Sequence, residues 1–92
     1  MEEAVKAEYQ KTKVTVTYLG FIREMTGTKD EDFAIQDGEH IRDILARAAD
    51  AHPRMVKIRD QLRVSINNVM TLENLEVKDG DRLVLMAPIA GG

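Results

Sequence analysis

The sequence predicts a small α+β domain in which one main helix packs across one face of a mixed sheet of four to five strands. Three observations lead to this prediction. Segments that alternate apolar and polar residues lie near both ends of the chain, one segment between them has helical periodicity, and the length of 92 residues suits a single domain. A chain this short buries only about 60% of the surface that its unfolded form exposes, so nearly every apolar position is needed for one core.

The first two strands are predicted before the helix. In the segment KVTVTYLGF, Val14, Val16 and Tyr18 form one face and alternate with two threonines and a leucine. The polar segment REMTGTKDE is predicted to be a loop. The segment DFAIQ, with Phe33 and Ile35 on one face, is predicted to be a second short strand. Because the link between the two strands is short, we expect them to form an antiparallel hairpin.

The segment DGEHIRDILARAADAHP changes to the period of an amphipathic helix. Its apolar residues follow the spacing i, i+3, i+4 and i+7, at Ile41, Ile44, Leu45 and Ala48. Pro53 is expected to end this helix, because proline disfavours helical geometry at the residue before it. A further short helical turn is predicted in RMVKIRDQ, with core side chains from Met55, Val56 and Ile58.

The remaining strands follow the helix. In LRVSINN the alternation places Val64 and Ile66 inward and Arg63 and Ser65 outward. A turn is predicted at Asn67 and Asn68, because asparagine tolerates left-handed backbone geometry.

The segment VMTLENLEV predicts a brief edge strand and a loop, and the turn KDGD leads into the last strand, RLVLMA. The first and last strands are the richest in β-branched and large apolar residues. We therefore expect them to pair in parallel in the middle of the sheet.

The composition excludes several functions. The chain has no cysteine, which excludes disulfides, cysteine-ligated metal clusters and a cysteine nucleophile within it. His40 lies at the start of the helical segment and His52 at its end, so the two histidines are far apart and no metal site is predicted. A net charge of −3 disfavours binding to nucleic acid, which needs a basic face. No apolar run approaches the roughly 20 residues of a membrane span, and no signal peptide is visible, so we expect a cytoplasmic protein without membrane contact.

The last third of the sequence, VSINNVMTLENLEVKDGDRLVLMAPIAGG, resembles the small sulfur-carrier subunit of molybdopterin synthase. This family belongs to the ubiquitin-like β-grasp group of sulfur carriers and modifiers. The matching positions are an asparagine after the third strand, a DGD turn, an apolar last strand and a proline-containing tail: Asn67, Asp79, Gly80, Asp81, Leu83, Leu85, Pro88, Gly91 and Gly92. The resemblance covers residues 13–92. In the family the tail often has two adjacent prolines, whereas Ala87 precedes Pro88 here.

The resemblance implies a ubiquitin-like β-grasp fold with a flexible Gly-Gly tail, formed by Pro88, Ile89, Ala90, Gly91 and Gly92. It also implies that the carboxylate of Gly92 is adenylated by a ubiquitin-activating-type enzyme and converted to a thiocarboxylate. ATP is used by that partner, and no cofactor is bound to this chain. The second implied partner is the large subunit of molybdopterin synthase. The chain is therefore expected to be a carrier and cosubstrate with no catalytic residue of its own.

The sequence leaves three functions open. The first is this sulfur carrier, with thiamine or tRNA sulfur supply as related roles. The second is a protein modifier that is joined through Gly92 to lysines of target proteins. The third is a β-grasp interaction module in which the two terminal glycines are incidental.

The surface around the tail is expected to bind partners. If the leucines of the last strand face the core, Val84 and Met86 face outward, and Phe21 belongs to the same surface. Arg42 and Arg47 are either solvated helix charges or contacts to acidic groups of a partner. The resulting organisation is an N-terminal extension at residues 1–12, a β-grasp domain at 13–87 and an exposed tail at 88–92.

Overall fold

The structure, a computed structural model, describes residues 12–88. Its single mixed sheet has five strands in the spatial order β2-β1-β5-β3-β4. In chain order the strands are β1 (Lys13–Tyr18), β2 (Asp30–Ala34), β3 (Arg63–Ile66), β4 (Val69–Thr71) and β5 (Arg82–Met86). Two α-helices, α1 (Phe21–Thr26) and α2 (Ile41–Ala51), and a 3₁₀ segment (Pro53–Gln61) complete the domain.

Strands β1 and β5 pair in parallel, with Val16 opposite Leu83 and Tyr18 opposite Leu85. Strand β2 pairs antiparallel with β1, and β3 pairs antiparallel with both β5 and β4. The prediction that the first and last strands pair in parallel inside the sheet is therefore confirmed. The physical reason is that interior strands lose the most surface to neighbours, which favours the sequences richest in branched apolar residues.

The core lies between the sheet and α2. The predicted inward residues of β1, β5 and α2 are all buried: Val14, Val16, Tyr18, Leu83, Leu85, Ile41, Ile44, Leu45 and Ala48. Helix α2 begins after His40, whose backbone N–H donates to the Oδ2 of Asp43 at 2.9 Å. It ends at Ala51, two residues before Pro53, as predicted from the proline.

The segment that was predicted to be a loop between β1 and β2 contains helix α1. Gly20 and Gly27 bound this helix with positive φ angles of 54° and 74°, and the Gly27 N–H donates to the Arg23 carbonyl at 2.8 Å. Helix α1 buries Ile22 completely. The prediction was wrong because six residues, with apolar side chains only at Phe21, Ile22 and Met25, are too few to display a helical period. The antiparallel pairing of β1 with β2 is nevertheless as expected.

Two smaller predictions need correction. Met55 is buried and Ile58 packs against the core, but Val56 is 56% exposed. A 3₁₀ helix has three residues per turn, which places 55 and 58 on one side and turns 56 away. Ser65 lies on the sheet face opposite the core, yet it is buried, because Val84 and Met70 flank it across the sheet.

Candidate functional site

The end of β5 is where the chain leaves the sheet. The N–H of Leu19, just after β1, donates to the Leu85 carbonyl at 3.0 Å, and Met86 is paired with Arg63 of β3. Ala87 still packs against the core, whereas Pro88 is exposed. The strand is thus held on both sides up to the root of the tail. The predicted tail residues Ile89, Ala90, Gly91 and Gly92 lie outside the described residues.

An apolar surface adjoins this exit. Phe21, in the first turn of α1, is 58% exposed, and Leu19 is 43% exposed. Helix α1 packs against both β1 and β5, so these two side chains lie beside the last strand. We call the region formed by Leu19, Phe21, Met86 and Pro88 the tail pole.

The sheet face opposite α2 carries the other predicted partner residues. Val84 and Met86 alternate with the buried leucines of β5 and are partly exposed. Val84 lies opposite Thr17 on one side and Ser65 on the other, and Ser65 lies opposite Met70, which is 55% exposed. The structure therefore brings Val84 and Met86 onto one open face, which continues over the edge strand β4.

The same open face becomes polar towards β2. The hydroxyl of Thr17 donates to Asp30 Oδ1 at 2.6 Å, and Arg82 Nη1 donates to the Thr17 oxygen at 2.7 Å. Beside this pair, Asp32 accepts from Thr15 Oγ1 at 2.7 Å and from Lys13 Nζ at 3.0 Å. These two hydrogen bonds, first from Thr15 and then from Lys13, hold the pKa of Asp32 below its usual value.

The two arginines on α2 have different surroundings. Arg47 donates to both carboxylate oxygens of Glu39, at 3.0 and 3.1 Å, and to the Ala34 carbonyl at 2.6 Å, and it lies over the ring of Phe33. Within residues 12–88, the side chain of Arg42 forms no hydrogen bond, and its backbone N–H donates to Asn74 Oδ1 at 2.8 Å. Of the two, only Arg42 leaves its guanidinium available to a partner.

Comparison with known proteins identifies the family. Residues 16–92, most of the chain, match the ThiS family. The chain belongs to the ThiS family. It is 29% identical, over 82 residues, to the molybdopterin synthase sulfur carrier subunit of Chlamydomonas reinhardtii, and the match covers 87% of this chain and 99% of that protein.

Solved structures similar to this ThiS-family chain share its fold. A putative molybdopterin converting factor subunit 1 from Pyrococcus furiosus has a TM-score of 0.75 at 21% identity, covering 84% of this chain and 98% of that one. The small archaeal modifier protein 1 of H. volcanii has a TM-score of 0.76 at 18% identity, covering 84% of this chain and 98% of that one. The small archaeal modifier protein 1 of Methanosarcina acetivorans has a TM-score of 0.72 at 25% identity, covering 87% of this chain and 96% of that one. The predicted ubiquitin-like β-grasp fold and the family resemblance are both confirmed.

The asparagine and the DGD turn that carried the resemblance lie at the other end of β5. Asn67 donates to Asp81 Oδ1 at 2.9 Å and accepts from the Arg82 N–H at 2.9 Å. Asp81 also accepts from the Lys78 N–H, and Asp79 accepts from the Lys13 N–H at 2.8 Å. In this ThiS-family chain these residues join the β3–β4 turn and the start of β1 to the start of β5. We call the region of Asn67, Asp79, Gly80 and Asp81 the turn pole; its role is structural.

A buried polar cluster under the tail pole was not predicted from the sequence. Glu31 Oε1 accepts from the hydroxyl of Tyr18 at 2.7 Å and lies 2.8 Å from Nε2 of His52. The rings of Tyr18 and His52 meet edge to face, with centroids 5.5 Å apart. Burial, reinforced by Glu31, raises the pKa of Tyr18 far above its usual value. Three residues from β1, β2 and the end of α2 meet here, and no spacing in the sequence indicates it.

Within residues 12–88 no three histidine, aspartate or glutamate side chains are grouped closely enough to hold a metal ion. The helices of this same range are too short or too polar for any of them to cross a membrane.

Proposed function

We propose that this protein is a sulfur carrier whose C-terminal Gly92 is converted to a thiocarboxylate, and that it donates this sulfur as the small subunit of molybdopterin synthase. The observation that carries the proposal is that a central strand, held on both sides, leads to the exposed Pro88, after which the sequence reads Ile-Ala-Gly-Gly. The similarity to the molybdopterin synthase sulfur carrier subunit of Chlamydomonas, which this chain matches along nearly its full length, supports the same function.

The proposed chemistry takes place on the carboxylate of Gly92. This group is ionised at neutral pH, with a pKa of about 3.5, and is a poor electrophile. An adenylating partner of the ubiquitin-activating type would join the carboxylate oxygen to the α-phosphate of ATP and release pyrophosphate. Sulfide from the sulfur donor would then attack the acyl carbon, the bond to the phosphate would break, and AMP would leave, which gives the thiocarboxylate. The protein acts as a cosubstrate, binds no cofactor itself and functions in the cytoplasm.

The tail suits entry into the active site of another protein. The four residues after Pro88 span at most about 13–14 Å when extended, so the partner must approach the tail pole closely. Gly91 and Gly92 have no Cβ, which lets them pass through a narrow channel. Pro88 fixes one φ angle at the root of the tail and limits the conformations that must be ordered on docking.

We assign the contacts with this partner to the apolar part of the open face and to the tail pole. Val84 and Met86 lie on β5 itself, and Phe21 lies on α1, which packs against β5; all three expose apolar surface. Apolar area removed from water contributes about 25 cal/mol per Å², which offsets the entropy lost when the tail is ordered. The large subunit of the synthase would use the same face after the sulfur has been loaded.

A second candidate function is protein modification, in which the activated Gly92 is joined to lysines of target proteins. The specific observation that favours it is the fold match to two small archaeal modifier proteins, one of them at 25% identity. Both functions require the same adenylated glycine, so the product of the second step distinguishes them.

The experiment is intact-mass spectrometry of the protein after incubation with its activating enzyme, ATP and a sulfur donor. The carrier function predicts that one oxygen is exchanged for sulfur. A variant with one alanine added after Gly92 serves as the control and should show no exchange, because its Gly92 carbonyl is an unreactive amide. Peptide mapping of a tryptic digest from the native cells would detect lysines that carry the branch LVLMAPIAGG, which follows Arg82, if the modifier function is correct. If neither product forms with an active enzyme, only the interaction module remains.

A further inference from the structure

A groove lies on the helix side of the domain and meets the open face at Arg63, which pairs with Met86 in the sheet. It is enclosed by α2, by the end of the 3₁₀ segment and by the β3–β4 hairpin, and its volume is about 920 Å³. Pro88, at the root of the tail, forms part of its wall. The groove therefore begins where the tail begins, but it presents different residues from those of Val84 and Met86.

The groove has an apolar floor. Ile41 and Leu45 of α2 line it from one side, and Leu62 and Val64 line it from the other. On the rim, Leu72 follows the edge strand β4 and is 88% exposed. A leucine so fully exposed beside a concave apolar surface is stabilised by burial against a partner.

The charges on the rim are mainly positive. Arg42, Arg59 and Arg63 line the groove, against Asp60 and Glu73. Arg59 lies 3.9 Å from its neighbour Asp60. Within residues 12–88, the side chains of Arg42 and Arg63 form no hydrogen bond or ion pair. In a chain with a net charge of −3, these two unpaired guanidinium groups mark a local basic surface.

We propose that this groove binds an extended acidic segment of the partner that handles the tail, with an apolar side chain seated between α2 and the β3–β4 hairpin and carboxylates on Arg42 and Arg63. Guanidinium groups pair with carboxylates through two parallel hydrogen bonds, which gives such a contact directional specificity. The apolar floor suits a peptide that carries an apolar side chain better than the phosphodiester backbone of RNA. This inference rests on the proposed function only in assuming that the partner reaches the tail, since Pro88 lies in the groove wall.

The test begins without the partner. The full ¹⁵N-labelled protein is titrated with the capped peptide acetyl-Asp-Glu-Leu-Phe-Glu-Asp-amide and followed by two-dimensional NMR. We expect saturable shifts at the backbone amides of Arg42, Leu45, Arg63 and Leu72, and none at Val84. The shifts should weaken with added salt, since exposed charge pairs are screened.

Matched probes and variants make the result decisive. A peptide with lysines in place of its acids should not bind the groove, and a hexauridylate should bind more weakly than the acidic peptide. The double variant R42E/R63E should weaken peptide binding about tenfold, and Leu72→Asp should weaken it as well. Lys29→Glu, an exposed charge reversal outside the groove, should have no effect. Equal binding of both peptides, preference for the RNA, or unchanged binding by R42E/R63E would overturn the inference.

The activating enzyme supplies the second measurement. R42E/R63E should raise the KM for this protein in the adenylation reaction more than Lys29→Glu does, with little change in kcat. If wild type and R42E/R63E react with the same KM, the groove is not part of this interface, although the proposed function stands. If the wild-type protein is never adenylated while the acidic peptide still binds the groove, the proposed function fails and the groove remains a binding site.

Discussion

The two ends of strand β5 differ in the way they use hydrogen bonds and apolar surface. At the turn pole, the side chains of Asn67 and Asp81 are hydrogen-bonded to each other. Their oxygens also accept the backbone N–H groups of Arg82 and Lys78, respectively. At the tail pole the strand is held by backbone pairing, and the surrounding side chains, such as Phe21, expose apolar area to solvent. The difference shows that one strand can be fixed at one end and left open to partners at the other, so stability and recognition are separable by mutation.

The largest effect on stability is expected at the turn pole. Asn67→Ala removes two hydrogen bonds and places alanine at a φ of 49°. Glycine and asparagine tolerate this left-handed backbone conformation better than alanine does. We expect a loss of about 2–3 kcal/mol in the free energy of unfolding, measured by urea denaturation, with adenylation unchanged at temperatures where the variant is folded.

Asn68→Ala is the matched control for this variant. Asn68 has a φ of 72°, but no side-chain hydrogen bond within residues 12–88, so its substitution should show only the cost of the backbone conformation, about 1–2 kcal/mol. Equal losses at the two positions would contradict the structural role assigned to the Asn67–Asp81 contact.

The next effect concerns the buried cluster below the tail pole and appears at high pH. The unfolded chain releases the Tyr18 proton near pH 10, whereas burial and Glu31 raise its pKa in the folded protein. The contribution of Tyr18 is fully present below pH 10 and is lost as the pH rises further, by about 1.4 kcal/mol per unit. Urea denaturation across this range should show a shallower loss for Tyr18→Phe; identical slopes would contradict the burial of the phenol.

A smaller effect on stability, with a large effect on binding, is expected at the tail pole. Met86→Asp places a carboxylate on the partly exposed open face, in the strand position paired with Arg63. We expect less than about 1 kcal/mol of destabilisation and at least roughly tenfold weaker binding to the activating enzyme. Val84→Asp should behave similarly. Unfolding of either variant, seen by circular dichroism, would show that this face is part of the core.

The smallest effect is expected from removing the N-terminal extension. The Thr12 carbonyl accepts the Ile35 N–H at 3.0 Å, so a chain starting at Thr12 keeps this bond and should match the full-length protein within about 0.5 kcal/mol. A chain starting at Lys13 loses the acceptor and should be less stable by about 1 kcal/mol. A loss above about 2 kcal/mol for the Thr12 chain would show that the first eleven residues pack on the domain.

Much of the fold follows from local sequence patterns. The alternation in β1 and β5 indicated both their core-facing residues and their central positions, and the spacing in α2 gave the helix face. Helix α1 was missed because its six residues are fewer than two helical turns, and only one of them, Ile22, is buried. Val56 was misplaced because the 3₁₀ period of three residues differs from that of an α-helix.

The site was less predictable than the fold. Val84 and Met86 could be assigned to a face by alternation alone, since strand side chains point to opposite faces in turn. The cluster of Tyr18, Glu31 and His52 could not be predicted, because it forms only when elements that are distant in the sequence pack together. Likewise, nothing in the sequence separates Arg47, which is engaged with Glu39, from Arg42, whose guanidinium is free among the described residues.

The parallel pairing of β1 with β5 also governs the order in which this chain can fold. Thr15 and Arg82 are neighbours in the sheet but are separated by most of the sequence, so the central ladder closes only after a long loop has closed. During synthesis, the centre of the sheet stays vacant until its last strand has been made. A chain that stops before β5 lacks both the tail and the strand that completes the core. Such a truncated product would be a substrate for proteases rather than a defective competitor for the activating enzyme.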